Sequence, residues 1–584
     1  MRFGIFYEHQ LPRPWSQSSE ADLMHDSLAQ VELADRLGFD YVWEVEHHFL
    51  EEYSHSPAPE VFLAAVSQRT DRIRLGHGIV NVMPAVNHPA RVAERAATLD
   101  LVSNGRLDLG TGESSSAAEL GGFLIKREQK REMWQESVEA IARMFVEVPF
   151  AGLDSEHLRM PPRNVIPKPL QTPHPPLWVA CSRRETIHLA ARCGIGALSF
   201  SFVEPEDAAK WAREYYELLA SEECVPVGFA VNPAVAVVLP MMLAEDEAAA
   251  IERGIDGAHF FGYSLSHYYG IAEHAAGVTD VFKEFERRRD HTGFARHIVR
   301  PDEAPLGVKL LQEGVGSLRG AIGTPEQVSE LVARYEAAGV DQMIFVMQAG
   351  ANRHEHICAS LELFAAKVMP RFVEGREERE AAKAARLEGA IEAALARREP
   401  ARTISPPYVI DEQAELAREQ RRRRQSFTPT QVAQLARDEA RRTARETMVK
   451  LLARYVAGAS DVQVERRFGS GLVQRALFSG MARAYEPGAS AGFQGTLVYE
   501  LARPATGAQP IRWTIAVLDG RAAARPGGAE DAQLTLRFQL SDFIRVAAGT
   551  IDPAVPLLED RASFEGDFAL VARLPEMFGA PSPY

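Results

Sequence analysis

The chain has 584 residues, of which 46% are hydrophobic, 8% aromatic and 25% charged; this is a globular composition, long enough for several domains, and it argues against a mainly disordered or fibrous protein. A formal net charge of −15 speaks against a bulk nucleic-acid binder, whose surface would be basic. Four cysteines, Cys181, Cys193, Cys224 and Cys358, form no CxxC pair, so no structural zinc site and no disulfide framework are expected, and a reducing cytoplasmic location fits. The opening MRFGIFYEHQ carries no apolar signal core, and the longest apolar stretch, Ala234–Ala244, is interrupted by Pro240, so no membrane span is expected.

From Met1 to about Val373, short apolar runs alternate with amphipathic ones. The runs predict strands at Phe3–Tyr7, Tyr41–Val45, Ile73–Val80, Leu107–Leu109, Leu177–Ala180, Ala197–Phe202, Ala234–Pro240 and Gln342–Met347. Helices are predicted at Ala21–Leu37, Pro59–Arg69, Pro89–Val102, Lys130–Val146 and Glu355–Phe372, with Gly38 as a stop and Thr324-Pro325-Glu326-Gln327 as a capping box. Repeated strand–helix units over this length predict an α/β fold, a (β/α)8 TIM barrel with insertions, with a doubly wound sheet as the alternative. The Pro-rich stretch Ala151–Pro176 and the aromatic stretch His259–Gly320 exceed a minimal barrel. The second is either a cover for an active site or ordinary helical decoration.

The composition then changes. Residues 374–460 are rich in charge and alanine and predict a helical linker, with helices at Arg376–Arg398 and Pro429–Tyr455, the latter opened by the capping box Thr428-Pro429-Thr430-Gln431. The run Arg421–Arg424 reads as a solvated face rather than a nucleic-acid patch. Residues 461–584 predict a separate small α+β domain. Its strands are expected at Phe493–Leu501, Ile511–Leu518 and Gln533–Leu540, followed by a helix at Asp542–Ala548.

In a barrel, chemistry sits where strands end. The second predicted strand ends Glu46-His47-His48-Phe49; side chains alternate along a strand, so one histidine should face the mouth and the other outward. A histidine near neutral pKa suits acid–base work, whereas a metal pair would need a third ligand at definite spacing, and a structural pair is the other alternative. The third strand ends Gly76-His77-Gly78-Ile79-Val80-Asn81, where glycines suit an unusual backbone or the close approach of a flat ligand. The fourth ends Gly110-Thr111-Gly112-Glu113-Ser114-Ser115-Ser116, which is neither a P-loop nor a dinucleotide fingerprint. The fifth ends Cys181-Ser182-Arg183-Arg184-Glu185-Thr186 before a helix, the pattern of a phosphate site or of a plain N-cap with exposed arginines. Cys181 itself reads as core packing.

Several of these pieces, taken in order, resemble the bacterial luciferase-like flavin monooxygenase family. They are Arg2-Phe3-Gly4-Ile5-Phe6, Gly38-Phe39-Asp40-Tyr41-Val42-Trp43 leading to Glu46-His47-His48-Phe49, His88-Pro89, Leu99-Asp100 with Ser103-Asn104-Gly105-Arg106, the strand-five loop, and Gly323-Thr324-Pro325-Glu326-Gln327. The resemblance implies a barrel that binds FMN or, in some members, the deazaflavin F420. It implies His47 as the catalytic acid or base, oriented by Glu46 or a backbone group, with Gly78, Asn81, Gly112 and Glu113 beside the flavin and Ser182, Arg183 and Thr186 at its phosphate. One departure stands out: the reactive cysteine and following arginine of luciferase correspond to Gly112 and Glu113, which makes light emission doubtful. Asp519-Gly520, Leu534–Phe538, Gly549 with Asp552-Pro553, and Phe564-Glu565-Gly566-Asp567 resemble the sterol carrier protein 2 fold, which implies an apolar tunnel or, alternatively, a filled structural domain. The function implied is oxidation of a hydrophobic small molecule by O2 with reduced FMN from a separate flavin reductase, in a homo-oligomer. F420-dependent hydride transfer and a lipid carrier with a non-catalytic barrel are the alternatives.

Overall fold

The computed structural model describes residues 1–200, 203–269, 273–289, 319–425, 452–485, 493–529, 531–552, 554–566 and 568–578. Its apolar runs become eight parallel strands: β1 Arg2–Tyr7, β2 Tyr41–Glu44, β3 Arg74–His77, β4 Leu107–Gly112, β5 Leu177–Cys181, β6 Gly196–Ser199, β7 Val235–Leu243 and β8 Gln342–Gln348. They pair in chain order, and β8 returns to β1, so the sheet is closed. Every residue of β7 and β8 is buried, because a parallel strand is covered by helices on one face and by the lumen on the other. That is why these strands read as unbroken apolar runs. Gly76 leaves room for the lumen: a Cβ there would stand 2.3 Å from the Trp43 indole.

Departures from the expected elements have local causes. The third expected strand, Ile73–Val80, breaks at Gly78, whose N–H turns to the Glu44 carbonyl at 2.7 Å; Val80–Asn81 then pairs separately with Thr111 and Gly112. The helix expected over Glu355–Phe372 is two helices, His354–Lys367 and Met369–Val373, because Pro370 supplies no N–H to continue the first. Ala151–Pro176 contains a small ladder, Leu153–Asp154 against Arg159–Met160. The aromatic stretch after β7 belongs to a long helix, Glu247–Tyr269, and its expected continuation through 290–318 lies outside the described residues.

The barrel unit extends to Val409 and the second unit runs from Ile410. The first helix of the charged segment, Arg376–Arg397, is tied to the residues that open the strands. Arg2 donates to Glu380 through Nε and Nη2, both at 2.7 Å, Arg376 Nη1 lies 2.9 Å from Asp40, and Lys383 Nζ lies 2.5 Å from Asp341. Most of the second charged helix, with its capping box at Thr428–Gln431, falls at 426–451, outside the described residues.

In the second unit a five-stranded sheet has the spatial order Arg521–Pro526, Ala508–Leu518, Gly495–Arg503, Leu534–Gln539, Ala562–Gly566. The central pair, Gly495–Arg503 with Leu534–Gln539, is parallel and the others are antiparallel. The two edge strands escape the sequence reading because Arg-Ala-Ala-Ala-Arg-Pro and Ala-Ser-Phe-Glu-Gly lack a repeated large apolar face. Asp519 and Gly520, at φ 49° and 70°, make the two-residue turn. The dry face carries a fully buried Phe478, stacked on Trp513 at 4.9 Å and on Phe543 at 5.7 Å.

Candidate active site

The chain leaves β2 at Glu44, so the expected alternation of His47 and His48 does not apply. The His47 N–H donates to the Ser56 carbonyl at 3.0 Å, which turns its ring into the barrel mouth. Nδ1 lies 3.1 Å from Glu119 Oε1; Nε2 lies 3.1 Å from the Tyr269 hydroxyl and 3.6 Å from Glu8 Oε2. Burial alone would lower the His47 pKa, but Glu119 and then Glu8 outweigh it and hold the imidazolium up to about 9. Burial would likewise raise Glu119, yet the His47 charge, its hydrogen bond and the Ser114 and Ser116 hydroxyls, each at 2.6 Å, bring that carboxyl down to about 2. The two directions agree: His47 and Glu119 form a buried ion pair at neutral pH. Glu8 differs. Burial pushes it up to about 7, against His47 and the Tyr53 hydroxyl, which donates to Oε1 at 2.9 Å. Its Oε2 is buried without a hydrogen-bond partner.

Glu46, expected to orient His47, points elsewhere. Its carboxylate accepts the Asn81 N–H at 2.8 Å and the Asn87 side-chain N–H at 2.7 Å, and it lies 3.0 Å from His48 Nε2. Glu119 is the group that bonds His47. Asn81 is drawn into the same loop lock, since its Oδ1 accepts the Met83 N–H at 3.1 Å. Gly78 and Gly112 have a packing reason rather than an unusual backbone. A Cβ at Gly78 would meet the Phe6 ring at 2.8 Å, and one at Gly112 would meet Ile79 at 2.7 Å.

The strand-five loop opens a cationic corner. Arg183 is exposed at the N-cap of helix Arg184–Arg192, with no carboxylate bonded to it among the described residues, whereas Arg184 is engaged by Glu214. Lys130 lies 2.9 Å from the Ser115 hydroxyl and donates to the Ser114 carbonyl at 3.1 Å. Burial lowers its pKa, and Arg127, Arg131 and Arg183 press the same way against Glu113. Glu113 bonds Arg131 at 2.8 Å, so its carboxylate holds the cations in place; an anion would be repelled by it. Thr186 donates its only hydroxyl proton to the Arg183 carbonyl at 2.6 Å, leaving acceptors that a phosphate cannot use. Arg183, Ser182 and the start of the helix offer donors and positive charge of the kind a phosphate requires, and Lys130, whose Nζ is already bonded to Ser114 and Ser115, adds charge beside them. The buried Cys181, pushed up to about 12 by burial, packs as a thiol.

Four groups of this site escaped the sequence reading. Glu8 ends the first strand, where the strand-end rule already applied. Glu119 stands in Ser116-Ala117-Ala118-Glu119, a capping pattern whose Ser116 hydroxyl accepts the Glu119 N–H at 3.2 Å. Lys130 and Arg131 open a helix that was expected but not searched for charge. Tyr53 is the fourth, and it forms an aromatic wall with Phe261, Tyr268 and Tyr269 of the stretch expected to cover an active site, whose ring centroids lie 5.7–6.3 Å from its own.

The sequence model of the luciferase-like monooxygenase family matches residues 1–342, and that of the SCP-2 sterol transfer family matches residues 477–579. The oxygenase component of flavin-dependent trigonelline monooxygenase from Acinetobacter baylyi is 25% identical over 386 residues, 65% of this chain and 98% of that protein. Limonene 1,2-monooxygenase from Rhodococcus erythropolis is 28% identical over 325 residues, 54% of this chain and 78% of that protein. The crystal structure of monooxygenase RslO1 from Streptomyces bottropensis superposes with a TM-score of 0.50 at 27% identity, covering 64% of this chain and all of that one. Among the described residues no helix is long and apolar enough to cross a membrane, and no group of three acidic, histidine or cysteine side chains is placed to hold a metal ion.

Proposed function

Given that the chain belongs to the luciferase-like monooxygenase family, we propose that it oxidises a hydrophobic small molecule with O2, using reduced FMN delivered by a separate flavin reductase. The observation that carries this reading is His47, set past the end of β2 between the Glu119 carboxyl at 3.1 Å and the Glu8 carboxyl at 3.6 Å. The Arg183–Lys130 corner, which fits a flavin phosphate, supports it. Reduced flavin supplies the electrons that activate O2; what the chain supplies is binding, orientation and a placed proton. Arg183 and Lys130 anchor the anionic end of the cofactor. Glu119 fixes the orientation of the His47 ring through Nδ1 and leaves Nε2–H, beside the Tyr269 hydroxyl, as the proton that can be given to a developing oxyanion. The wall of Tyr53, Phe261, Tyr268 and Tyr269 keeps water from that proton and favours an apolar substrate.

The name of the trigonelline relative as an oxygenase component supports a reductase partner. The SCP-2 domain, whose dry sheet face is built for apolar packing, supports lipid-like or otherwise hydrophobic cargo. We also propose that the chain assembles as a homo-oligomer. The deciding experiment titrates the protein with FMN and with F420 separately, then follows O2 uptake with reduced FMN and candidate apolar substrates. Tight FMN binding with substrate-dependent O2 uptake is expected. Preference for F420 without O2 uptake would replace the proposal with hydride transfer, and binding of neither would leave a lipid carrier.

A further inference from the structure

The carboxyl of Glu8 has no place yet in this chemistry. It is 2% exposed, yet no lysine or arginine among the described residues pairs with it. One oxygen is bonded by Tyr53; the other faces His47 Nε2 at 3.6 Å and has no hydrogen-bond partner. A buried carboxylate oxygen left without a donor is costly, and the usual resolution is that it carries a proton. The surroundings reinforce this. Glu8 is faced by the Glu119 and Glu44 carboxyls, which disfavour a further charge, by the Tyr53 and Tyr269 hydroxyls, and by His47. Glu44 in turn lies 3.1 Å from His9 Nδ1 and accepts the Ser56 hydroxyl at 2.7 Å.

Resting on the reading of His47 as the acid, we propose that Glu8 is the proton reservoir for His47: once the imidazolium has given up its Nε2 proton, the Glu8 carboxyl replaces it. The exchange balances. The neutral imidazole takes the proton from Glu8 Oε2, the imidazolium is restored, and Glu8 is left as a carboxylate that regains a proton from solvent before the next cycle. Burial holds the Glu8 carboxyl in its protonated form, while Glu119 favours the charged form of His47, and both act in the direction of this transfer. His47 Nε2 and Glu8 Oε2 stand 3.6 Å apart, with the Tyr269 hydroxyl 3.1 Å from the same nitrogen. Glu8 acts through His47 and is a positioning and proton-supplying residue.

The test is a pH titration of the full chain labelled with 15N-histidine, with the His47 signals assigned through His47→Asn. In the wild-type protein His47 is expected to report two steps, one near 7 as Glu8 loses its proton and one near 9 as the imidazolium does. In Glu8→Gln, which keeps an acceptor for Tyr53, the lower step disappears. Turnover should then fall by less than the ~10²–10⁴-fold loss of a positioned acid, and only below pH 7. Tyr53→Phe removes a donor that steadies the Glu8 anion, so the lower step should move upward while the step near 9 stays. A single-step wild-type titration, or a lower step that survives Glu8→Gln, overturns the inference. Because the titration needs no flavin, failure to bind FMN would refute the proposed function and leave this result standing.

Discussion

Glu119→Gln is the most informative single change at the site. The substitution keeps size and an oxygen that can accept from His47 Nδ1–H, but it removes the charge 3.1 Å from the ring. The rise of His47 from 6.5 to about 9 corresponds to roughly 3 kcal/mol between the imidazolium and its surroundings, at about 1.4 kcal/mol per tenfold change in proton affinity. Burial, the largest influence, opposes that rise; of the groups that produce it Glu119 stands first, through its charge and its hydrogen bond, and Glu8 next, so most of the support for the imidazolium is expected to go with Glu119. The His47 pKa should therefore move down by more than tenfold in proton affinity, into the range of 7–8. Read as the basic limb of kcat/KM against pH in an oxygen-uptake assay, the limb shifts toward neutrality while the plateau below it drops modestly. Losing one partner of a buried pair often costs several kcal/mol of stability, but here Glu8 remains and the imidazole can become neutral. A basic limb that stays near 9 in Glu119→Gln would refute the assignment of His47 as the titrating acid.

Arg183→Ala should weaken FMN by about 10- to 150-fold, the worth of a charge-assisted contact, while riboflavin is little affected; calorimetry with both ligands checks it, and equal losses would place the phosphate elsewhere. His47→Asn should still bind reduced flavin but lose product formation by ~10²–10⁴-fold, measured in single turnover. Stability should also follow the ion pair. The Glu119 contribution is present above its ordinary 4.5 and lost as pH falls toward 2; the His47 contribution is present below 6.5 and lost as pH rises toward 9. The melting temperature of the barrel unit should thus decline between pH 6.5 and 9, and His47→Asn should flatten that slope in calorimetry. In the second unit, Phe478→Ala opens the stack between Trp513 and Phe543. It should cost ~3–5 kcal/mol of stability and raise affinity for a fluorescent fatty-acid analogue, while unchanged probe binding would count against an apolar ligand there.

The barrel was legible because its strands are covered on both faces, and double coverage writes itself into sequence as runs such as Gln342–Gln348. His47 was legible as the residue just past a strand. Its partners were not, because the contacts join positions far apart: Glu119 is 72 residues from His47, and Tyr269 is 222. No periodicity encodes such a meeting. Nearness in sequence misled in one case, where Glu46 looked like the natural partner of His47 but is committed to His48, Asn81 and Asn87. Thr186 misled similarly, since its residue type suits a phosphate while its hydroxyl proton is already placed on Arg183. The strands of the second unit were found where an apolar face is buried and missed at the edges, where none is needed.

The ion pairs that fasten Arg376–Arg397 to the strand openings bear on where this chain can be divided. The stretch that carries the family resemblance stops near residue 342, and a composition-based boundary falls near 373. Scission at either place would strip Arg2, Asp40 and Asp341 of their partners Glu380, Arg376 and Lys383 at once. The part-buried carboxylate of Asp40, which also accepts the Phe3 N–H at 2.9 Å, would lose the guanidinium it faces at the first strand of the sheet. A fragment ending at Val409 retains all three fastenings. Such a fragment should resist protease and salt like the parent chain, whereas one ending at Val373 should fray from its floor upward, far from the chemistry and yet able to silence it.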